Sequence, residues 1–467
     1  MPKIFLQDQE LAIQRIKDKD VNVCVIGIGT IGLPLATFLA KSGFNVMGLD
    51  INQERVDSIN QCNVIYEYSD IITNLVKEKK LVATTNVEEA LKESEIIFVC
   101  VPTPLNHDND MDEKNLLNVG ERINKFLKEG MLLIFESSVA IGTTLKISEY
   151  IEKISGFKFG KNIGLAYCPE RYNPTPNKKY SADKQYSIHS SGITFSLDKI
   201  NRVVGGIDEK STVLTQCIYQ QFISTSVTKL SSIESAEATK LVENIFRDVN
   251  IALVNEFAQI LPKFNLDVFE IIDAAKTKPF GFLPHYPGAG VGGECIPVDT
   301  WYLINQAEKI GLNTEMMKIA RKINDSMPEH MIEMLEVELK KANKDIQTAK
   351  ISILGLCYKK NIPDIRQSPS LKIISILKKN NVDFVVCDPL YEHNSDKLDF
   401  PVSSIQNVFK DSDAVLLVTD HDIFSSLDML QIKNDMKTPI IIDGRNFFNE
   451  HELKNFGFAY CAIGKPQ

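Results

Sequence analysis

A chain of 467 residues that is 44% hydrophobic and 24% charged has apolar material for two or three cores and has the composition of a large soluble enzyme. Its formal net charge of -9, with no Lys/Arg-rich stripe interleaved with aromatics, argues against a nucleic-acid partner. No apolar run approaches the length of a membrane span, and nine cysteines without paired spacing or a secretory leader pattern point to a reducing cytoplasm.

Residues 1–20 read as a polar amphipathic helix appended before the first strand, with no legible role. The run Val23-Cys-Val-Ile-Gly-Ile-Gly-Thr-Ile-Gly32 predicts a buried strand entering a tight turn, and Leu33 to Lys41 predicts the helix that follows. Gly27, Gly29 and Gly32, with Thr30 and Ile31 between them, allow a pyrophosphate to approach the N-terminus of that helix, where free N–H groups and the dipole favour an anion. The next apolar run ends in Asp50, placed to hold the ribose hydroxyls of a dinucleotide. An acid there repels a 2'-phosphate, so NAD is expected over NADP. Arg55 lies at the start of the following helix and is a candidate for the adenosine end of the cofactor.

Two more buried strands, Glu95 to Pro104 and Met131 to Ser138, end in hydroxyl residues. In a doubly wound sheet ligands lie beyond the carboxyl ends of strands, which makes Thr103 and Ser138 candidates to meet the dinucleotide. A further strand, Ile163 to Cys168, leads into Pro169-Glu170-Arg171, so Glu170 also stands at a strand end. The polar stretch between Pro174 and Asn201 has no assigned task and is expected to be a solvated excursion.

From Ser235 to Ile260 the periodicity becomes that of one long helix, with Ala238, Leu241, Val242, Ile245, Val249, Ala252, Leu253 and Phe257 as its apolar stripe. Lys240, Glu243, Asn244, Arg247 and Asn250 recur at the same spacing as a separate polar stripe. The loop from Pro287 to Asp299 carries four glycines in seven residues just before Cys295. A cysteine is usually a small buried hydrophobe, but a backbone this bare permits close approach to a ligand, which makes Cys295 a candidate nucleophile. Asp299 lies one helical turn away, and a helix is predicted from Trp301 to Lys309.

After about Asn343 the alternation of strand and helix returns, with strands at Lys350 to Leu356, Val382 to Pro389, Ala414 to Thr419 and Pro439 to Gly444, and a helix at Ser370 to Lys379. The expected plan is α/β: two Rossmann-like doubly wound domains joined by a central helical segment. Its boundaries are an extension at 1–20, an NAD-binding domain at 21–228, the helical segment with the cysteine loop at 229–327, and a C-terminal domain at 328–467.

The motifs Gly-Ile-Gly-Thr-Ile-Gly, Val-Pro-Thr-Pro, Glu-Ser-Ser-Val, Pro-Glu-Arg, Lys-Leu-Val-Glu-Asn, Gly-Val-Gly-Gly-Glu-Cys-Ile-Pro-Val-Asp and Asp-Ile-Arg-Gln-Ser-Pro occur in one order across residues 21 to 460. Together they resemble the UDP-glucose/GDP-mannose dehydrogenase family, the nucleotide-sugar 6-dehydrogenases. The resemblance implies a two-step, NAD-dependent oxidation of a C6 alcohol to a carboxylate through a thiohemiacetal and a thioester on Cys295, with no metal. It also implies that Lys240 and Asn244 stabilise developing oxygen charge or position water, that Asp299 assists proton transfer, and that Glu170 lies near the water-activating site. Arg171, Arg247, Gly292 and Lys359, with Glu170, Lys240 and Asn244, are the implied substrate contacts, and Arg366 an implied NAD contact. Within the family, Val298 stands where enzymes acting on UDP-glucose usually carry lysine, and Thr277 to Phe282 is similar to the branch acting on UDP-N-acetylhexosamines. UDP-N-acetylglucosamine is the expected substrate, with UDP-N-acetylmannosamine or UDP-glucose as alternatives. Glu294, Thr300 and Ser138 depart from that branch, which more often has histidine, proline and threonine. The resemblance further implies a UDP-sugar-binding C-terminal domain, service in surface polysaccharide or glycan synthesis, and a homodimer, or a higher homo-oligomer, formed through the central helices.

Overall fold

The computed structural model describes residues 3–64, 68–172, 196–392 and 398–466. Most of the 174–201 stretch singled out in the sequence lies outside them. The chain divides into two compact units: one within Met1–Pro174, Phe195–Glu243 and Trp301–Gly311, the other within Asn244–Thr300 and Leu312–Gln467.

The first unit is built on an eight-stranded sheet of β1 (Asn22–Ile26), β2 (Asn45–Leu49), β3 (Leu81–Thr84), β4 (Ile96–Val99), β5 (Leu132–Phe135), β6 (Gly164–Tyr167), β7 (Arg202–Gly206) and β8 (Val227–Lys229). Their order is β3-β2-β1-β4-β5-β6-β7-β8, parallel except where β7 runs against β6. β4, β5 and β6 are buried along their whole length, as parallel strands covered on both faces must be. The helix Gly32–Lys41 buries every residue but the last, and each of its large apolar side chains contributes roughly 1.5–3 kcal/mol by leaving water.

The N-terminal stretch is part of this unit. Asp8 caps the helix Gln9–Lys17, and Ile4, Phe5, Ala12 and Ile16 enter the same core as the sheet. Phe5 N–H donates to the Gly130 carbonyl at 2.7 Å, and Arg15 is paired with Glu95 at 2.7 Å.

The second unit carries a five-stranded parallel sheet, β9 (Lys350–Leu354), β10 (Asp383–Cys387), β11 (Ala414–Leu417), β12 (Ile440–Asp443) and β13 (Ala459–Ala462), in the order β10-β9-β11-β12-β13. In both sheets the order reverses beside the first strand, between β1 and β4 and between β9 and β11, the place where open α/β sheets leave a crevice. The helix Glu315–Lys341 packs on the second sheet through Met327, Met331 and Leu335. It runs without interruption through the 327/328 position expected to divide two domains.

The long helix covers Ile233–Ile260, contributing to the first unit through Glu243 and to the second from Asn244. Its buried side mixes polar residues with apolar ones such as Ala236, Leu241 and Val254. Glu237, Lys240, Asn244, Asp248 and Asn255 are buried, whereas Val242, Phe246, Leu253 and Phe257 are exposed. Of the expected polar stripe Lys240 and Asn244 are buried and Glu243, Arg247 and Asn250 half-buried; of the apolar stripe Leu241 and Ala252 are buried while Val242, Leu253 and Phe257 face water.

Candidate active site

The turn after β1 divides its three glycines by task. Gly27 has φ of +85°, and a Cβ there would lie 2.6 Å from the Cys100 carbonyl oxygen; a Cβ on Gly32 would lie 1.9 Å from that of Gly27. Those two glycines are required by the chain's own packing. A Cβ on Gly29 would meet only the Arg55 guanidinium, at 3.9 Å. Open space lies over the middle glycine, and the helix Gly32–Lys41 has no side-chain cap at Ile31; Leu33 N–H is taken by the Gly29 carbonyl at 3.1 Å and Pro34 has none, so Gly32 supplies the N–H of this first turn that can meet an anion. Thr30 is exposed at this turn. Asp50 accepts the Ile28 N–H at 3.0 Å, the Asn52 N–H at 3.0 Å and Arg55 Nη1 at 2.9 Å. An open glycine turn, an uncapped helix start and a buried carboxylate at the next strand end fit a dinucleotide. Beyond β4 and β5, Thr103 Oγ1 donates to the Ser138 carbonyl at 2.5 Å, tying together the two strand ends expected to meet the cofactor.

Glu170 follows β6 and is buried. Its carboxylate is paired with the buried Arg202 at 2.9 Å and accepts the Tyr172 N–H, while its carbonyl accepts Lys240 Nζ. Arg171, expected to reach toward substrate, is bonded to Glu243 at 2.5 Å and donates to the Asn201 carbonyl at 2.7 Å.

In the second unit the helix that follows the cysteine loop spans Ile296–Lys309, starting five residues before the expected Trp301. Asp299 is therefore helical: its N–H donates to the Cys295 carbonyl at 2.9 Å, and its carboxylate accepts Asn244 Nδ2 at 2.6 Å. Cys295 stands at the helix N-terminus and is exposed, whereas of the eight other cysteines seven are buried and Cys62 is half-buried. Arg247 and Lys359 both lie close enough to Cys295 to feel its charge. Burial, and then the charge of Arg247, push Lys359 down to about 8, with Cys295 opposing. Burial likewise lowers Arg247 and raises Tyr358.

The glycines before Cys295 have a different cause from the one the sequence suggested. A Cβ on Gly292 would lie 2.6 Å from Tyr358 Cβ and 2.7 Å from the Gln367 carbonyl oxygen. One on Gly293 would lie 2.8 Å from the Tyr358 ring, and one on Gly288 2.7 Å from Arg445. The loop is bare because the chain's own 358–369 segment presses on it, and Gly293 N–H donates to the Arg366 carbonyl at 2.9 Å.

Arg366 itself is held by carboxylates. Its Nη2 lies 2.6 Å from Asp364, and its Nη1 bonds Glu294, the residue before Cys295. Ser368 caps the helix Pro369–Lys379. Thr300, where the resembling branch often has proline, donates to Asp248 at 3.0 Å; Asp248 also accepts Arg321 at 2.7 Å and Asn324 at 2.7 Å. This buried set fastens the first turn of the cysteine helix to two other helices. Among the described residues, one grouping of His, Cys and acid has metal-ligand geometry: Cys357, Asp388 and His421, with ligand atoms within 4.8 Å of one another. His421 Nδ1 accepts the Asn361 N–H at 3.0 Å, which leaves the proton on Nε2, 3.0 Å from Asp388. The three form a closed hydrogen-bonded network.

Sequence reading missed Glu136 and Arg202, which adjoin Glu170 in the first unit, and Tyr219, which bonds Glu136. An acid closing the apolar run Met131 to Phe135 was the available signal.

Family models match along most of the chain. The UDP-glucose/GDP-mannose dehydrogenase family's NAD binding domain matches residues 21–186, its central domain 234–326 and its UDP binding domain 352–450. A UDP-N-acetyl-D-mannosamine dehydrogenase of Methanococcus aeolicus is 34% identical over 464 residues, covering 97% of this chain and 98% of that protein. A UDP-N-acetyl-D-glucosamine 6-dehydrogenase of Pseudomonas aeruginosa is 31% identical over 417 residues, covering 89% and 94%. The solved structure of a UDP-D-ManNAc dehydrogenase from Pyrococcus horikoshii superposes with a TM-score of 0.84 at 33% identity, covering 95% of this chain and 99% of that one. No helix among the described residues is long and apolar enough to cross a membrane. The chain belongs to the UDP-glucose/GDP-mannose dehydrogenase family and is an NAD-dependent nucleotide-sugar dehydrogenase.

Proposed function

We propose that this enzyme oxidises the C6 hydroxyl of a UDP-N-acetylhexosamine to the carboxylate, with Cys295 holding the sugar covalently between the two oxidations. The observation that carries this reading is the one exposed thiol among nine, at a helix N-terminus and within the field of Arg247 and Lys359. The relatives at 34% and 33% identity named for N-acetylmannosamine support that epimer as the leading candidate. The expected N-acetylglucosamine is the competing arm, supported by the relative at 31%. Val298, buried in the cysteine helix, supports an N-acetyl sugar over glucose.

NAD, when bound, accepts a hydride from C6 in each of two rounds. The chain's residues do the rest. The Cys295 sulfur adds to the C6 aldehyde, so the half-oxidised sugar cannot leave while cofactor exchanges, and the second oxidation gives a thioester. Asp299, fixed by Asn244, exchanges the proton of the sugar oxygen, and Lys240 steadies the oxyanion. In hydrolysis the water oxygen bonds C6, the C6–S bond breaks, sulfur leaves as thiolate, and Glu170 receives the water's proton. Arg247 and Lys359 offer positive charge to the diphosphate, with Gly292 in the adjoining loop and Arg171 toward the sugar. Asp50, Arg55, Thr103, Ser138 and Arg366 belong to the cofactor side. The exposed Val242, Phe246, Leu253 and Phe257 support a homodimer built on the long helix.

The test is NADH production from UDP-N-acetylmannosamine, UDP-N-acetylglucosamine, UDP-N-acetylgalactosamine and UDP-glucose. An N-acetylhexosamine should lead UDP-glucose in kcat/KM by about tenfold or more; UDP-glucose in the lead overturns the substrate assignment. Cys295→Ser should still bind sugar nucleotide and NAD, but accumulate an ester visible by intact-protein mass spectrometry. Full-rate conversion to the acid by that variant overturns the covalent role.

A further inference from the structure

Behind Glu170 lies a second carboxyl that the reaction as described does not use. Glu136, just past β5, is buried in the core of the first unit and accepts the Tyr219 hydroxyl at Oε1. Its other oxygen, Oε2, is buried with no donor in reach. Glu170 is its hydrogen-bonding neighbour, and Arg202 carries the positive charge beside them both. Arg202 Nη1 and Nη2 are spent on Glu170, at 2.9 and 3.2 Å, and on the Pro169 carbonyl, at 3.2 Å. Two carboxyls in contact inside a protein, with one guanidinium between them, make a neutral set when they hold one proton.

That proton belongs on Glu136. Glu170 has donors on both oxygens, from Arg202 and the Tyr172 N–H, which suit a carboxylate. Glu136 has one donor and one bare oxygen, which suits a carboxylic acid whose O–H points at Glu170. Burial first, then the charge of Glu170, raise Glu136 above the ordinary carboxyl range, against the opposing pull of Arg202 and Tyr219. The remaining titratable groups facing it are the thiols of Cys100 and Cys168, both pushed up by burial and so neutral.

We propose that Glu136 is a neutral carboxylic acid that donates a hydrogen bond from Oε2 to the Glu170 carboxylate, orienting it and steadying its charged form. Glu136 is thus a positioning residue, and its effect on hydrolysis rests on the reading above that Glu170 receives the water's proton.

Three variants separate the possibilities. Glu136→Gln keeps a neutral donor toward Glu170 and a carbonyl toward Tyr219. Glu136→Met keeps the volume and removes both. Infrared difference spectra at neutral pH should show a carboxylic C=O stretch above the amide I band in the parent enzyme that is lost in Glu136→Gln; a spectrum without that loss overturns the protonated state. In the pH profile of thioester breakdown after a single turnover, Glu136→Met should move the acidic limb upward by about one pH unit, because a carboxylate that loses a donor holds its proton more tightly. Glu136→Gln should restore the limb to its parental position. A limb that stays in place in Glu136→Met overturns the coupling between the two side chains. Glu170→Gln tests the underlying reading by itself: full-rate thioester breakdown in that variant removes Glu170 from hydrolysis, while the infrared result on Glu136 still stands.

Discussion

Asp50 stands just past β2 and Asp388 just past β10, and each accepts backbone N–H groups from the turn after the first strand of its sheet. Asp50 takes that of Ile28 at 3.0 Å; Asp388 takes those of Leu356 at 2.7 Å and Cys357 at 2.9 Å. Each also accepts the N–H two residues on, from Asn52 and from Leu390. The turns themselves match, because Gly27 and Gly355 have φ of +85° and +90°, and a Cβ on either would strike the end of the neighbouring strand, at Cys100 or Thr419. From there the two diverge. The first turn enters its helix at once, with Gly29 under open space and the exposed Arg55 as partner to Asp50. The second has the buried Cys357 at the corresponding place, and Asp388 is closed over by His421. Its helix begins only at Pro369, after the segment that carries Lys359 and Arg366. One strand–turn–acid device thus supports a cradle for a ligand in one sheet and anchors a loop of the chain itself in the other.

The largest effect should come from removing the closed acid. Asp388→Ala leaves three N–H groups, two of them buried, and the buried His421 without their acceptor and should destabilise the protein by about 3–5 kcal/mol in urea unfolding. Asp50→Ala should cost under half of that, since Arg55 is exposed and the Asn52 N–H only part-buried, so water can serve both once the acid is gone. Equal losses in the two variants would erase the distinction between anchor and cradle.

Next in size is cofactor choice. Asp50→Ala should narrow the preference for NAD over NADP by about tenfold in kcat/KM, because the acid no longer repels a 2'-phosphate. Asp388→Ala, assayed at a temperature where it is folded, should leave the ratio alone. A parent enzyme that turns over both cofactors equally well would remove the basis for assigning Asp50 to the ribose.

The smallest effect concerns Lys359 on the anchored segment. Burial and Arg247 hold it at about 8, so its charge fades as pH rises through that value, and KM for the UDP-sugar should climb several-fold there. Lys359→Met should flatten that rise. Stability runs the other way: between about 8 and the ordinary lysine value the unfolded chain binds the proton that the folded one does not, so this group makes folding more favourable as pH increases. A pH-independent KM in the parent enzyme would take Lys359 away from the diphosphate.

Nine of the thirteen strands were legible in the sequence because they are continuous apolar runs punctuated by glycine and acid, which local pattern is enough to find, whereas β3, β7, β8 and β13 were not expected. Asp50, Glu170, Lys240 and Cys295 were legible for the same reason: each stands at a strand end, in a helical stripe or in a glycine run. The start of the cysteine helix was hidden by Pro297, which reads as loop but is tolerated in a first helical turn. The continuity of Glu315–Lys341 was hidden by Pro328 inside it. Glu136, Glu170 and Arg202 are far apart in the chain, and only the adjacency of β5, β6 and β7 brings them together. No spacing rule reports that. The glycine run was found for its chemistry, but its cause is contact with Tyr358 and Gln367 from a distant segment, which periodicity cannot reveal.

The packing of Ile4, Phe5, Ala12 and Ile16 into the first core separates two meanings of a domain boundary. The family's NAD binding domain, as matched to this chain, has its edge at residue 21. Burial draws it before Ile4. A chain trimmed to that edge would lose four core side chains and expose the surface they cover, on the order of 5 kcal/mol of apolar burial, comparable with the whole net stability of many domains. What reads in the sequence as an appendage behaves in the folded protein as a keystone, and any dissection of this enzyme into working parts has to leave it in place.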